Sequence, residues 1–404
     1  MKKPWSFSYN RLPRRRLMGL LATAFTLFIA AAVMATSYVS QSGAENSSFQ
    51  FMNLPVGSCV VSPTKGTWTA PGPPIPREGD AMAYDVSDGY VVLFGGYPDT
   101  GSGLADTWTY SGGCWTNITP TTSPPALSGA SMVWDPNSAD CQTAFGTNSG
   151  CLLLFGGCTA VAGTIVGIGI LNDCSSGSSS TWEFLGGVWK EVTTTSAPCG
   201  RWDFSMTFDA STGDNFVLLY GGVGVTSACG GNANGDSYLE DTWKFVGGAT
   251  PTWTELYATS APGLREGASM TYDSSSGDNY VLLYGGYYAG ELDNAWSFQS
   301  GAWSTKALCS TTCTPGALTM ASAVWDPTYS AIILSGGYDG TNYHTTAWAY
   351  ASGGWTSVCT SCFTPARSYA ASAFDQNSAD YYLLIFGGES TQPPPVLGDV
   401  WIYK

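Results

Sequence analysis

The strongest constraint on this chain is a block of residues that recurs six times, and the block is clearest in residues 267–303. It divides into four short apolar runs: ASMTYD, YVLLYGG, NAWSF and a last run that Trp303 opens. Turn segments such as SSSGDN separate the runs, as they do in β-hairpins. The runs are too short for helices and rich in Val, Tyr and Trp. Each block therefore predicts four antiparallel strands.

Three markers keep their place in every block: a Gly-Gly doublet closes the second strand, a Trp stands in the third strand, and an Asp ends the first strand. The doublets are Gly95-Gly96, Gly156-Gly157, Gly221-Gly222, Gly285-Gly286, Gly336-Gly337 and Gly387-Gly388; the tryptophans are Trp108, Trp182, Trp243, Trp296, Trp348 and Trp401; the aspartates are Asp85, Asp135, Asp209, Asp273, Asp326 and Asp375. The doublets are 61, 65, 64, 51 and 51 residues apart, and a period near 50 with four strands per unit is typical of a propeller blade.

These markers resemble the Kelch repeat, whose architecture is that of the galactose oxidase central domain. The resemblance covers about residues 66–404 and implies an all-β fold, a six-bladed Kelch-type β-propeller. It implies little about activity, because one fold hosts many functions.

The last blade lacks its fourth strand. Fourth-strand tryptophans stand at Trp115, Trp189, Trp253, Trp303 and Trp355, but the chain stops at Lys404, directly after Trp401. A matching segment lies near the start of the repeat region, Lys65 to Thr69 around Trp68. We therefore predict that this N-terminal strand completes the last blade and closes the ring, which removes exposed sheet edges.

The N-terminal region predicts export. Residues 1–16 carry six basic residues and no acid, and the chain from Leu17 to Ala35 has no charge. A basic flank before an apolar run indicates a cytoplasmic N-terminus. The length of the run favours an uncleaved signal-anchor helix over residues 17–39, although Val33-Met34-Ala35 could also serve as a signal-peptide cleavage site. Residues 40–65 are predicted as a stalk or linker, and residues 66–404 as the propeller. The expected location is the cell surface, or the medium if the helix is cleaved.

Charge argues against nucleic-acid and anionic-membrane partners for the exported part. All 30 acids lie beyond residue 16, where 15 − 6 = 9 basic residues remain, so the exported net charge is 9 − 30 = −21. Such a balance repels polyanions and favours solubility. It suits an acidic or a saline environment.

Twelve cysteines in an exported domain predict six disulfides. In a four-stranded meander, the loops after the second and fourth strands share one face, the upper face, and the remaining loops share the lower face. Grouping the cysteines by face gives the pairs Cys158–Cys174, Cys199–Cys229, Cys309–Cys313, Cys359–Cys362, Cys141–Cys151 and Cys59–Cys114.

Two sets of upper-face residues are candidate ligand contacts. The arginines precede the first strand in four blades, where the Kelch resemblance places them at the mouth of the central channel, and Leu127 and Ala317 stand near this place in the other two. They are Arg77, Arg201, Arg265 and Arg367. They could hold a carboxylate or sulfate, or pair with a nearby acid such as Glu78, Asp203 or Glu266.

The tyrosines of the second set are Tyr97, Tyr287, Tyr288, Tyr338 and Tyr343. They could stack on sugars or simply pack the loops.

No catalytic residue is assigned, and no cofactor or metal is expected. A copper site of the galactose oxidase kind needs two histidines, whereas this chain has only His344. The oxygen-rich segment from Asn232 to Asp241 could hold calcium but departs from the EF-hand pattern. Asn46 and Asn117 begin Asn-x-Ser/Thr sequons and are potential glycosylation sites.

These observations favour a binding or adhesion module that recognises a glycan or an extracellular protein on the loop face. One alternative is a polysaccharide-acting enzyme of the lyase or epimerase type on the same face, and another is a structural subunit of the cell envelope.

Overall fold

A computed structural model of the chain describes residues 51–54, 73–98, 102–137, 150–159, 174, 176–224, 229, 237–248, 250–258, 260–275, 277–307, 314–377, 381–391 and 395–404. Within these residues, six four-stranded antiparallel sheets form the domain; five correspond to one predicted block each, and the sixth combines the last block with residues 51–54. The prediction of a six-bladed, all-β propeller is confirmed.

The strands fall into blades as follows. Blade one contains β2 (Ala81–Asp85), β3 (Tyr90–Phe94), β4 (Thr107–Ser111) and β5 (Cys114–Asn117); blade two, β6 (Ser131–Asp135), β7 (Cys151–Phe155), β8 (Thr181–Leu185) and β9 (Val188–Val192); blade three, β11 (Ser205–Asp209), β12 (Phe216–Tyr220), β14 (Thr242–Val246) and β15 (Thr252–Leu256), with the short pair β10 (Arg201–Trp202) and β13 (Val223–Gly224) above it; blade four, β16 (Ser269–Asp273), β17 (Tyr280–Tyr284), β18 (Ala295–Gln299) and β19 (Ala302–Lys306); blade five, β20 (Ser322–Asp326), β21 (Ala331–Ser335), β22 (Ala347–Ala351) and β23 (Gly354–Cys359); blade six, β24 (Ala371–Asp375), β25 (Tyr382–Phe386), β26 (Val400–Tyr403) and β1 (Phe51–Leu54).

The aspartate that ends each first strand forms the lower turn. In blade one, Oδ1 of Asp85 accepts hydrogen bonds from the amides of Ser87 and Asp88, at 3.0 and 3.1 Å. Corresponding amides bond to the aspartates of the other five blades. An aspartate that binds the backbone two residues on favours a turn, which explains why this marker recurs.

Apolar clusters fill all six spaces between neighbouring blades, and one of them joins blade one to blade six. In that cluster Leu93 of blade one and Leu384 of blade six are fully buried. The second strands are buried on both faces, so they read as continuous apolar runs. The hydrophobic core is therefore a closed ring of blade interfaces.

The glycine doublets hydrogen-bond each blade to the next. The amide of Gly388 in blade six donates to the carbonyl of Arg77 in blade one at 2.9 Å, and the other five doublets make the same bond to their following blade. A Cβ on the neighbouring Gly387, whose φ is +67°, would lie 2.5 Å from that carbonyl oxygen. Only glycine tolerates this approach and this dihedral angle.

Ring closure by an N-terminal strand is confirmed, but the segment differs from the predicted one. Phe51–Leu54, a part of the expected stalk, pairs antiparallel with β26, and Phe51 stands opposite Tyr403. In blade one the corresponding register pair is Trp115 and Tyr110, so Phe51 takes the place of the missing tryptophan. The tryptophan pattern does not mark this segment, because a different aromatic residue stands there. Lys65 to Thr69 lie outside the described residues.

Three of the predicted disulfides are present: Cys158–Cys174, Cys199–Cys229 and Cys359–Cys362. Cys114 and Cys151 are also disulfide-bonded; their predicted partners, Cys59 and Cys141, lie outside the described residues, as do Cys309 and Cys313. Disulfides are typical of extracellular proteins.

The predicted helix over residues 17–39 also lies outside the described residues. Within the part of the chain that the structure describes, no helix has the length and apolar character needed to cross a membrane.

Candidate functional site

A belt of backbone hydrogen bonds surrounds the upper mouth of the central channel. It joins one residue from each blade, and each amide donates to the belt carbonyl of the preceding blade over 2.8–3.2 Å. The belt residues are Gly79, Gly129, Asp203, Gly267, Met320 and Tyr369. All six have positive φ, between 53° and 65°. The belt thus holds three non-glycine residues in a backbone region that favours glycine.

The three larger belt residues cover the mouth. A Cβ on Gly79 would lie 3.1 Å from the ring of Tyr369, and one on Gly129 would lie 2.8 Å from its hydroxyl oxygen. The Tyr369 side chain therefore extends from blade six over blades one and two. Its hydroxyl donates to the carboxylate of Asp203 in blade three, on the opposite side of the ring. Met320 lies over Gly267 in the same way.

Below the belt, the first strands enclose a channel with a volume of about 230 Å³. Small and flexible side chains line it, including Ser205, Ser269 and four methionines at the same register. The hydroxyls of Ser205 and Ser269 each donate to a carbonyl of the following blade at 2.7 Å. These hydroxyl groups are thus engaged in holding neighbouring blades together.

Above the belt, short bridges extend the blades into a rim. The bridged pairs include Glu78–Tyr97, Glu266–Tyr287, Thr319–Tyr338 and Ser368–Glu389, and Tyr343 bridges to Tyr338. The rim therefore places tyrosines and carboxylates side by side at the mouth.

The four candidate arginines are buried inside the blades. The guanidinium of Arg77 is fully buried and binds both carboxylate oxygens of Asp106, at 2.6 and 2.8 Å, and the carbonyl of Gly95 at 2.8 Å. Arg201 and Arg367 make the same bonds to Asp241 and Asp399. These contacts favour the alternative in which each arginine pairs with an acid of the protein and not with a ligand. The partners are not the acids adjacent in sequence but the residue two positions before each third-strand tryptophan.

The same aspartates also bind the tryptophans. The indole N–H of Trp108 donates to Oδ2 of Asp106 at 2.6 Å, and Trp243 and Trp401 make the corresponding bond. Burial alone would raise the pKa of Asp106, but the hydrogen bonds and charge of Arg77 hold it below its usual value. Each Arg–Asp–Trp group thus joins the loop before a blade to its third strand.

Blade four departs from this pattern because Asn294 replaces the aspartate. Arg265 keeps one bond to the Asn294 side-chain oxygen, at 2.8 Å, whereas the buried indole nitrogen of Trp296 has no hydrogen-bond partner. Burial without a carboxylate partner lowers the pKa of Arg265 to about 10. In blades two and five, Leu127 and Leu318 occupy the arginine position, because their carbonyls accept the hydrogen bond from the glycine doublet of the preceding blade. Ala317, the residue expected near this position in blade five, is one residue too early in the chain.

Four carboxyl groups meet at the mouth, and analysis of the sequence missed them as a group. They are Glu78, Asp203, Glu266 and Glu389, and each residue is no more than 7% exposed. Burial, followed by the charges of Glu266 and Glu389, raises the pKa of Asp203 well above its usual value. Burial raises that of Glu266 to about 8. Glu78 and Glu266 each follow an arginine in the sequence, a position that predicts pairing with that arginine and not a cluster at the mouth.

The candidate tyrosines lie in this rim with different exposure. Tyr97 and Tyr338 are buried, whereas Tyr287, Tyr288 and Tyr343 are partly exposed. The Tyr338 and Tyr343 rings are 5.1 Å apart. Burial, and then Glu389, raises the pKa of Tyr343.

A second aromatic group lies on the blade-three side, where Tyr238 packs against Tyr287 and Tyr288 with ring centroids 6.1 and 5.4 Å apart. Tyr238 lies within the segment from Asn232 to Asp241 and was not predicted as a site residue. The partly exposed tyrosines therefore form an aromatic surface on one side of the mouth.

The remaining candidates are peripheral. His344 pairs with Asp339 at 2.9 Å in an upper loop, and Asn117 is exposed at the end of β5. Asn46 and most of the segment from Asn232 to Asp241 lie outside the described residues. Among the described residues, no group of three or more His, Cys, Asp or Glu side chains is arranged to hold a metal ion.

Comparison with models of protein families and with curated proteins gave no match to this chain. The six-bladed propeller follows from the structure, and the Kelch type of its repeats stays a prediction from the sequence.

Proposed function

We propose that this propeller is an extracellular binding module whose ligand docks on the upper rim, over the partly exposed tyrosines. The observation that carries the proposal is the aromatic surface of Tyr238, Tyr287 and Tyr288 beside the mouth carboxyls. Tyrosine presents a flat apolar face and a hydroxyl group, which suits a polyhydroxylated ligand. The disulfides agree with a site outside the cell.

The charge distribution favours a neutral glycan over an anionic one. The arginines that could have held a carboxylate or sulfate are already bound to Asp106, Asp241 and Asp399 within the blades. The rim contributes carboxyl groups instead, and a carboxyl group can exchange hydrogen bonds with sugar hydroxyls in either protonation state. An extracellular protein with a neutral or basic surface is the other ligand that this rim suits.

We further propose that residues 17–39 tether the domain to the membrane as a signal-anchor. Phe51 stands opposite Tyr403, the last residue of the third strand of blade six, so β1 begins at the lower face. A chain attached there leaves the upper rim accessible from outside. Protease or antibody access to the upper loops on intact cells tests this orientation.

Glycan-array binding of the full chain in detergent tests the ligand proposal. We expect binding of neutral oligosaccharides and a loss of about tenfold in affinity for Tyr287→Ala combined with Tyr288→Ala, since one stacking contact is worth about 1.4 kcal/mol. Tyr257→Ala is the matched control, because Tyr257 is 86% exposed and lies outside the rim. Equal binding by the rim variant and the control would place the site elsewhere. If no glycan binds, an extracellular protein remains as the proposed ligand.

One observation favours an enzyme as the second candidate. Asp203 and Glu266 are neighbouring carboxyl groups with raised pKa values, and a carboxylic acid that stays protonated near neutral pH can act as a general acid. Incubation of each bound glycan with the protein, followed by analysis of its chain length and configuration, separates turnover from binding.

A further inference from the structure

The exposed side chains of the upper rim are confined to three neighbouring blades. In blades one, two and six, the rim residues that follow the glycine doublets are buried; they are Tyr97, Cys158 and Glu389. Among the described residues of the rim bridges, the partly exposed side chains all belong to blades three, four and five; they are Tyr238, Tyr287, Glu291, Tyr343 and His344. The accessible rim is therefore an arc along three blades and not a complete ring.

We propose that this rim arc binds a linear, neutral oligosaccharide at two aromatic subsites on consecutive blades. The first subsite is the aromatic surface of Tyr238, Tyr287 and Tyr288. The second is the blade-five pair, Tyr338 and Tyr343. This proposal rests on the proposed function and specifies its ligand: a chain of sugar units that contacts both subsites, and not a single unit.

The blade-five pair has the geometry of a stacking platform. Tyr338 and Tyr343 are partners in an antiparallel bridge, and their rings lie 5.1 Å apart at an angle of 52°. Tyr338 is only 7% exposed and supports Tyr343, which is partly exposed. Glu389 of blade six hydrogen-bonds to the Tyr343 side chain. A ring that neighbours hold on two sides loses little conformational freedom when a ligand stacks on it.

Glu291 joins the two subsites. Its backbone bridges to Tyr287 in blade four. Its side chain extends to blade five, where a Cβ on Gly340 would lie 2.9 Å from its carboxyl carbon. Burial, followed by the charge of Glu291, raises the pKa of Tyr338, so the carboxyl group lies near the second subsite. The two subsites therefore have one carboxyl group between them.

This order of groups suits a chain of sugar units. A flat tyrosine face can stack on a sugar ring at each end of the arc, and the Glu291 carboxyl group can exchange hydrogen bonds with hydroxyls of the units that pass over it. Its negative charge also disfavours an anionic unit at this place. A ligand that contacts both subsites has to span the Glu291 side chain, which favours an extended chain.

Calorimetric titration of the full chain in detergent measures how affinity depends on chain length. The probes are ladders of one to six units of β-1,4-linked glucose, α-1,4-linked glucose and β-1,4-linked N-acetylglucosamine. We expect the six-unit member of at least one ladder to bind about tenfold more tightly than its monosaccharide, because it gains a second stacking contact. A long chain also gains affinity from its repeated units, so the diagnostic quantity is the change of this length ratio between variants.

Substitutions of Tyr343 test the second subsite. Tyr343→Ala should lower the length ratio by about tenfold. Tyr343→Leu keeps an apolar side chain against Tyr338 but no flat ring, and it gives the same expected result if the alanine variant does not fold. Tyr343→Phe keeps the ring and should restore most of the length ratio. Tyr257→Ala is the matched control, because Tyr257 is exposed and lies outside the rim, and it should leave the length ratio unchanged.

Two aromatic subsites are refuted if affinity does not depend on chain length in the unaltered chain, or if the length ratio survives both Tyr343→Ala and Tyr343→Leu. They are also refuted if the glycan array shows binding but no member of the three ladders binds. In each of these cases the rim can still bind a glycan at the first subsite. An array without any glycan binding would instead overturn the glycan ligand of the proposed function, and the second subsite with it.

Discussion

Blade four offers a substitution that should stabilise the protein. In three blades an aspartate binds an arginine and a tryptophan at once, and in blade four Asn294 stands in its place. The atom that corresponds to Oδ2 is then an amide nitrogen, which cannot accept the bond from Trp296. The indole N–H of Trp296 consequently has no partner, and Arg265 keeps one bond to the Asn294 side chain. Asn294→Asp should restore the full group.

The magnitude follows from the bonds gained. The carboxylate accepts two additional charge-assisted hydrogen bonds, one from Arg265 and one from Trp296, and such bonds contribute about 1.5–3 kcal/mol each. Part of this gain is offset because the carboxylate loses hydration. That cost is limited, since the equivalent side chains of Asp106 and Asp399 remain 24% and 23% exposed. We expect a net increase in the free energy of unfolding of about 1–3 kcal/mol.

Urea denaturation and calorimetry at pH 7 measure the change. The expected rise in Tm is about 2–6 °C. Ser260→Asp adds the same charge at an exposed loop position and serves as the control, with a change within about 0.5 kcal/mol. The converse variant, Asp106→Asn, should destabilise by a similar amount. The reasoning is wrong if Asn294→Asp leaves the stability unchanged or lowers it while Asp106→Asn destabilises.

Two further predictions concern ring closure and the disulfides. Gly387→Ala should destabilise by about 2 kcal/mol more than Gly301→Ala, because a Cβ on Gly387 would lie 2.5 Å from the Arg77 carbonyl oxygen, whereas Gly301 has a similar positive φ and nothing within 4 Å; equal losses in urea titrations would show that the φ angle alone matters. Replacing Cys199 and Cys229 together by Ala should lower the free energy of unfolding by about 3–4 kcal/mol, since the bridge encloses 30 residues of separation, and calorimetry showing a loss below about 1 kcal/mol would contradict this.

The hydrogen bonds between blades show which contacts the repeat pattern predicts and which it does not. The fourth-strand tryptophans Trp189 and Trp253 donate to Thr107 and Thr181 at the start of the third strand in the preceding blade, at 2.9 and 3.0 Å. The indole nitrogen of Trp355 has no partner, because Ala295 stands at that place in blade four. Once the order of the blades is known, the sequence alone shows which tryptophans face a threonine and which face an alanine. Without the blade order, nothing marks these distant residues as partners.

The sequence by itself determined the blade number, the strand order, the lower turns and three observed disulfides. These features depend on short-range patterns: runs of β-forming residues, an aspartate that binds its own turn, and a glycine where the backbone needs a positive φ. It also determined that an N-terminal segment completes the last blade, since the final repeat is one strand short. The tertiary structure decided that this segment is Phe51–Leu54.

Only the tertiary structure decided which polar side chains the mouth presents. Arg77 finds its partner 29 residues away and Arg201 finds its partner 40 residues away, so their burial inside the blades does not follow from their neighbours. The carboxyl groups of Asp203, Glu266 and Glu389 come from three blades and meet only when the ring closes. Burial then raises the pKa values of Asp203 and Glu266, and the charges of Glu266 and Glu389 raise that of Asp203 further; neither effect exists in the separate segments. The physical reason is that charge and solvation at this site are properties of the assembled ring.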